Sequence, residues 1–209
     1  VYLAHHAHLR RDVALKVSKL AYSDAADVAR FRQEVQLLTQ LDLPSVVRIF
    51  DSGIDDGHLY FTMPVLSGGT LRSRMADYRD PWSAAALMVK IARAVHALHE
   101  HPLRVLHLDL KPENILFDHH GTPHISDFGI ATVASSNGWG KSTRGIGGPA
   151  YVAPEQAFID QGELTPATDV YSLGAILYEL LTGSPPHTGK TLDGVLRRVA
   201  LEEPVPPRR

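Results

Sequence analysis

An α+β fold is the class this sequence predicts, on three observations. The first third carries strand-like alternation: in Val13-Ala14-Leu15-Lys16-Val17, period two puts Val13, Leu15 and Val17 on one face and Ala14 and Lys16 on the other. The remainder carries apolar stripes at helical spacing, first at Met88, Ile91, Val95 and Leu98, then over about residues 168–182. Between the two lies the flexible run Ser67-Gly68-Gly69. Strands followed by helices, without βαβ alternation, describe a small sheet-plus-helix lobe, a hinge and a helical lobe.

The elements follow in order. Val28, Phe31, Val35 and Leu38 recur at helical spacing, which predicts an amphipathic helix over about 24–41, ended by Pro44. Val46-Val47-Arg48-Ile49-Phe50 and Leu59-Tyr60-Phe61-Thr62-Met63 read as strands joined through the turn Asp55-Asp56-Gly57. Asp80 caps a helix with Pro81 at its first position, and Pro102 stops it. Gly121 and Pro123 punctuate a hairpin. The helix over 168–182 is apolar nearly all round, so it should be buried, and Gly183 with Pro185-Pro186 terminates it. The run Glu203-Pro204-Val205-Pro206-Pro207 reads as a linker or as a chain running out.

Composition bounds the function. The chain has 209 residues, 44% hydrophobic and 21% charged, within the range of one globular domain or two small lobes. A net charge of -2 gives no basic face for nucleic acid and no polybasic membrane signal. No apolar run approaches the roughly 18 residues that cross a bilayer. A cytoplasmic location follows as the expectation, with any membrane attachment left to segments outside this chain. The absence of cysteine excludes disulfides, thiol catalysis and thiolate zinc sites. Of twelve histidines, His5, His6 and His8 cluster, as do His119, His120 and His124; both groups read as solvated turn residues before they read as a metal site.

The chemistry concentrates in residues 107–127. His107-Leu108-Asp109-Leu110-Lys111-Pro112-Glu113-Asn114 is followed, thirteen residues after the Asn, by Asp127-Phe128-Gly129. An acid, an Asn five residues later and a second acid downstream offer one base and two oxygen ligands for a divalent cation, which is what phosphoryl transfer requires. Ala153-Pro154-Glu155 follows in the same order. H-x-D-L-x-x-x-N with D-F-G and A-P-E is similar to the catalytic signature of eukaryotic-type protein kinases. Asp-Leu-Lys-Pro-Glu-Asn resembles the serine/threonine version of that loop, and Pro154-Glu155-Gln156 with the stretch Tyr178–Pro186 resembles bacterial members.

The resemblance implies a bilobal fold: residues 1–63 a partial sheet lobe, 64–69 the hinge, 70–209 a partial helical lobe. It implies Asp109 as base for the substrate hydroxyl and Lys111 beside the transferring phosphoryl group. Asn114 and Asp127 become ligands of Mg²⁺, or of Mn²⁺ in its place. Lys16, in the Val-Ala-Leu-Lys strand, would hold phosphates of ATP, fixed by Glu34 eighteen residues on. Met63 falls at the gatekeeper position, and Pro64, Val65 and Leu66 fall on the hinge. Val1, Ala14 and Leu116 would sandwich the adenine. Leu38, Ile49, His107 and Phe128 would stack as a spine between the lobes. Gly147 to Glu155 resembles the segment that receives the peptide, so the expected partners are ATP and proteins bearing Ser or Thr. Dimerisation through the small lobe is compatible with this reading. The competing function is a pseudokinase, a nucleotide-binding or scaffolding module; retention of Lys16, Glu34, Asp109, Lys111, Asn114 and Asp127 favours catalysis.

Several positions depart from the pattern. The Gly-rich phosphate loop should lie before Val1. The Arg that pairs with Glu155 should lie beyond Arg209, which would leave a buried carboxylate unpartnered. A fragment with weak nucleotide affinity is therefore the expectation. Leu108 replaces the Arg that binds a phosphorylated activation loop, so activity is expected not to depend on such phosphorylation. Gly148 replaces a Thr whose hydroxyl would tie the segment to Asp109 and Lys111.

Overall fold

The computed structural model describes residues 1–8, 10–21, 35–36, 38–127, 148–157 and 163–207. Four antiparallel strands form the first lobe: β1 (Tyr2–His6), β2 (Arg11–Ala21), β3 (Asp51–Asp55) and β4 (His58–Met63), in the order β1-β2-β4-β3. β3 and β4 are joined through Asp56 and Gly57, both at positive φ (45° and 72°). A two-residue loop of this handedness matches the twist of its strands, which is why Asp-Gly serves there.

Val46–Phe50 is not a strand, contrary to its apolar pattern. Val46, Val47 and Ile49 are apolar because they are buried between the sheet and the second lobe. Its first residues bond to the far side, where Val47 N–H donates to Ile125 O and Ile125 N–H to Ser45 O, each at 2.8 Å; only its last residue, Phe50, donates to β4, at Thr62 O (2.8 Å). The strand that pairs with β4 begins only at Asp51. Of the helix expected over 24–41, Val35 and Leu38 are helical and buried. Residues 22–34, Glu34 and Phe31 among them, lie outside the described residues, as do Phe128 and Gly129.

After Met63 the chain crosses through Pro64–Leu66 to Gly68 and Gly69. Gly68 N–H donates to Phe117 O, and Phe117 N–H donates to Gly69 O, both at 2.8 Å. A Cβ on Gly68 would stand 2.3 Å from the Asp118 carbonyl oxygen, so the close approach requires glycine. Thr70 caps the short α1 (Leu71–Arg74) through a reciprocal capping box. α2 (Pro81–Glu100) starts at Asp80, whose carboxylate accepts from Ser83 N–H, with Pro81 at its first turn. It buries the stripe read from sequence, Met88, Ile91, Val95 and Leu98, and adds Ala84, Leu87, Ala94 and His99.

A small hairpin, β5 (Ile115–Phe117) and β6 (Pro123–Ile125), underlies the cleft. Its turn is held by Asp118, whose carboxylate accepts from Thr122 and His120 N–H groups and from His124. The Thr122 bond leads in lowering its pKa to about 2. These are turn interactions. Three further helices follow among the described residues. α3 (Pro154–Ala157) is a single turn. α4 (Pro166–Thr182), capped by Thr165, starts two residues before the expected start and ends at Gly183 in the left-handed conformation. Its burial is one-sided and not all round as its composition suggested: Leu173, Ala175, Ile176 and Leu180 are buried, whereas Val170 and Leu181 are exposed. A last helix, α5 (Leu192–Leu201), capped by Thr191, was not evident from composition.

Candidate functional site

The cleft between the lobes gathers the predicted residues from four elements. β2 supplies Ala14 and Lys16. Register places Ala14 opposite Met63 and Lys16 opposite Phe61. Ala14, Leu66 and Leu116 pack against one apolar cluster with buried Met63, Leu38 and Ile49. Pro64 and Val65 lead from Met63 into the crossing, Val65 exposed. Val1 stands apart: it precedes the Tyr2–Leu15 pair and is 73% exposed, outside that cluster.

The loop 107–114 is fixed from below. Fully buried Asp169, in the first turn of α4, accepts three hydrogen bonds at 2.8 Å. His107 N–H and His99 Nε2 reach Oδ2, and Leu108 N–H reaches Oδ1. Leu108 takes φ +61°, a left-handed conformation that costs a branched L side chain about 1–2 kcal/mol. The loop is held there by bonds on both sides of that residue, since Leu108 O accepts from Gln156 Nε2 at 2.9 Å.

His107 is completely buried. Its Nε2 lies 2.9 Å from Ser126 O, while Asp109 N–H points at Nδ1 at 3.3 Å. One tautomer satisfies both: Nε2 donates and Nδ1 accepts. Burial dominates in lowering its pKa, against the pull of Asp169 and Asp109. The folded protein thus takes up this proton at lower pH than the unfolded chain does, so stability is full above about 6.5 and falls as pH drops below that value. A melting temperature that declines from pH 7.5 to 5.5, with the decline reduced in His107→Gln, is the expected result.

Asp109 is 41% exposed and points into the cleft. Its Oδ2 accepts from Lys111 Nζ at 2.6 Å and from Asn114 Nδ2 at 2.9 Å; Asn114 Nδ2 also reaches the Asp109 carbonyl at 2.8 Å. A 3-10 turn over Pro112–Asn114 brings Asn114 back beneath Asp109. Ser126 donates through N–H and Oγ to Asn114 O, which delivers the next residue, Asp127, to the same place. Asp127 has φ +58°, and its Oδ1 stands 2.7 Å from Lys16 Nζ. Lys16 also lies over the Phe61 ring, 5.6 Å from its centroid. The Lys16–Glu34 pair lies outside the described residues.

The donor set suits a hard divalent cation. Asp127 Oδ1 is shielded from solvent, and among the described residues its one close polar contact is the ion pair with Lys16 at 2.7 Å. Asn114 commits its amide nitrogen to Asp109, and among the described residues no donor reaches its Oδ1. A carboxylate oxygen and an amide oxygen, next to a cation that would accompany phosphates, fit Mg²⁺ with the remaining positions left to phosphate and water.

Gly148 adjoins Lys111 as its sequence position implies: a Cβ there would meet Lys111 Cδ at 3.2 Å. Glu155 departs from expectation. It is half-buried and accepts from Thr168 Oγ at 2.6 Å, so within these residues the carboxylate is neither enclosed nor unpartnered.

Sequence reasoning missed a polar cluster that meets the loop 107–114 at Glu113. Arg72 donates from Nε to Glu113 (2.8 Å) and from Nη1 to Glu179 (2.7 Å); Nη2 reaches Tyr151 Oη, which in turn donates to Glu179. Burial alone would lower the Arg72 pKa, yet the bonds to Glu179, Glu113 and Tyr151 outweigh it and raise it. Tyr151 is pushed up by burial and then by Glu179. Glu179 is 7% exposed and Arg72 37%. Arg72→Ala therefore strands a buried carboxylate with one hydroxyl for partner. The expected cost is about 2 kcal/mol in urea unfolding, below that of a fully buried pair because water reaches Arg72; an unchanged midpoint contradicts this.

A strand-borne lysine facing an acid at the end of a hairpin, with a second carboxylate held by lysine and asparagine, is an arrangement suited to a phosphotransferase cleft. Comparison with known families agrees: the protein kinase domain profile matches residues 1–203, and the chain belongs to that family. It is 37% identical over 208 residues to the serine/threonine-protein kinase PrkC of Bacillus subtilis, covering 98% of this chain and 32% of PrkC. It is 41% identical over 216 residues to RqkA of Deinococcus radiodurans, a DNA damage-responsive serine/threonine-protein kinase (100% and 31% covered). It is 37% identical over 215 residues to PknB of Mycobacterium tuberculosis (99% and 34%). The chain thus spans about a third of the length of these relatives. Among the described residues, no helix is long and apolar enough to cross a membrane.

Proposed function

We infer that this chain is the catalytic domain of a serine/threonine kinase, which transfers the γ-phosphate of Mg-ATP to hydroxyls of protein substrates. The observation that carries the reading is the joint placement of Asp109, Lys111 and Asn114 in one hydrogen-bonded set with Asp127 and Lys16 across the cleft. The names of the relatives support Ser/Thr as the acceptor class.

In this reading residues 1–63 form the sheet lobe, 64–69 the hinge and 70–209 the helical lobe. Adenine lies between Ala14 above and Leu116 below, with backbone groups of Pro64–Leu66 at its edge and Met63 behind. Lys16 binds phosphate oxygens. Asn114 and Asp127 hold Mg²⁺, or Mn²⁺, which when bound offsets the charge on the phosphates. Asp109 orients the incoming hydroxyl and takes its proton as the oxygen bonds the γ-phosphorus and the bond to the β-phosphate oxygen breaks. Lys111 stabilises the charge on the transferring group. Leu108 cannot bind a phosphorylated loop, so turnover is independent of one. The domain works in the cytoplasm.

The test is phosphoryl transfer from ATP labelled at the γ-phosphate to a generic basic protein, with acid hydrolysis of the product. Phosphoserine or phosphothreonine is the expected outcome. Binding of Mg-ATP without transfer to any acceptor would overturn the reading in favour of a pseudokinase.

A further inference from the structure

Gln156 is 5% exposed and both ends of its carboxamide are engaged. Its Oε1 accepts from Ala153 N–H at 3.1 Å, within its own segment. Its Nε2 donates to Leu108 O at 2.9 Å, across 48 residues of sequence. The acceptor is the carbonyl of the left-handed residue that precedes Asp109. Asp169 grips the N–H of Leu108, and Gln156 grips its carbonyl. With both peptide planes flanking Leu108 held, the N–Cα bond of the next residue is placed, and the Asn114 Nδ2 bond to that residue's carbonyl at 2.8 Å limits rotation about it. That next residue is Asp109. Gln156 follows directly on the run Gly148–Glu155, whose Tyr151 carbonyl is anchored to α4 by Ser172 Oγ at 2.8 Å. One amide thus spans the loop that carries the base and the segment beside which the acceptor hydroxyl would lie. Leu108 provides no side-chain polar group for that linkage.

We propose that Gln156 is a positioning residue for phosphoryl transfer: by holding the Leu108 carbonyl against the 148–156 segment, it fixes the distance between Asp109 and the substrate hydroxyl. The proposal rests on the kinase reading above. It assigns Gln156 no contact with ATP, so its loss lowers kcat and leaves the KM for ATP unchanged.

The discriminating variant is Gln156→Glu, measured in the full-length protein with Gln156→Leu beside it. Glutamate matches the shape and can still accept from Ala153 N–H, but as a carboxylate it sets an oxygen against the Leu108 oxygen. Once protonated, its O–H donates to that carbonyl as the amide did. The ionisable groups adjoining the contact are Asp169 and His99 behind the loop, His107 and Asp109 on it, and Glu155 next in sequence. All are common to variant and wild type, so the ratio of their kcat values isolates residue 156. The expected result is a ratio of about one-tenth or less at pH 8 that rises several-fold towards pH 6, with KM for ATP constant; Gln156→Leu stays low at every pH. Equal turnover of Gln156→Glu and wild type at pH 8 overturns the proposal. So does a deficit without acid recovery, which would mark a purely structural amide. Should Gln156→Leu fail to fold, the Gln156→Glu ratio alone decides. A wild type silent towards every acceptor defeats the kinase reading itself, a result distinct from either.

Discussion

Asp109→Asn lowers phosphoryl transfer by about 10²–10⁴-fold while Mg-ATP affinity changes little. The argument is one of proton affinity at constant shape. Asp109 Oδ2 receives Lys111 at 2.6 Å and Asn114 at 2.9 Å, and an asparagine oxygen can receive either. The loop therefore keeps its form, which the bonds from Asp169 and Gln156 to its backbone secure independently. What disappears is a group able to take the hydroxyl proton. Nucleotide contacts lie elsewhere in the proposed site, at Lys16, the hinge, Asn114 and Asp127. Calorimetric titration of Mg-ATP beside a labelled-phosphate assay separates the two effects. Turnover within tenfold of wild type would remove Asp109 from the role of base.

The parts of this domain that were legible in sequence are those where chemistry or backbone geometry dictates residue type. Asp80-Pro81 could only open a helix, Asp56-Gly57 only turn a hairpin, and the interval between Asn114 and Asp127 is set by one short hairpin between them. The illegible parts are those where tertiary burial imitates a local pattern or where partners lie far apart. Val46-Val47 and Ile49 are apolar because both lobes press on them, and an apolar run of five cannot report whether its hydrogen bonds go to β4 or to β6. Arg72 meets Glu179 across 107 residues and Glu113 across 41, separations that carry no periodicity. Gln156 was visible only as a member of a family-like tripeptide; its bond to Leu108 depends on a backbone conformation that no side chain announces.

Asp169→Ala carries the largest stability loss expected among the described residues, about 3–5 kcal/mol. Asp169 is fully buried, and among the described residues no lysine or arginine pairs with it. Its carboxylate is held by three donors, His99 Nε2 and the N–H groups of His107 and Leu108, together with the N-terminal end of α4, where negative charge is favoured. Alanine leaves those donors without an acceptor in a site too enclosed for bulk water. It also frees Leu108 from the N–H bond that holds φ at +61°, and a leucine so released relaxes towards negative φ. That rotation turns the peptide preceding Asp109, so activity falls with stability. Asp169→Asn separates the two. It keeps one acceptor oxygen, but its NH₂ faces at least one N–H, for an intermediate loss of about 1–3 kcal/mol. If the asparagine oxygen serves His99 and His107, Leu108 N–H is the group abandoned, and the variant folds at reduced midpoint with a disproportionate loss of turnover. Urea unfolding of both variants, paired with transfer rates at a temperature where each is fully folded, tests this order. An Asp169→Ala midpoint shift worth less than about 1 kcal/mol would show that the loop is held by its own packing and that the carboxylate only follows it.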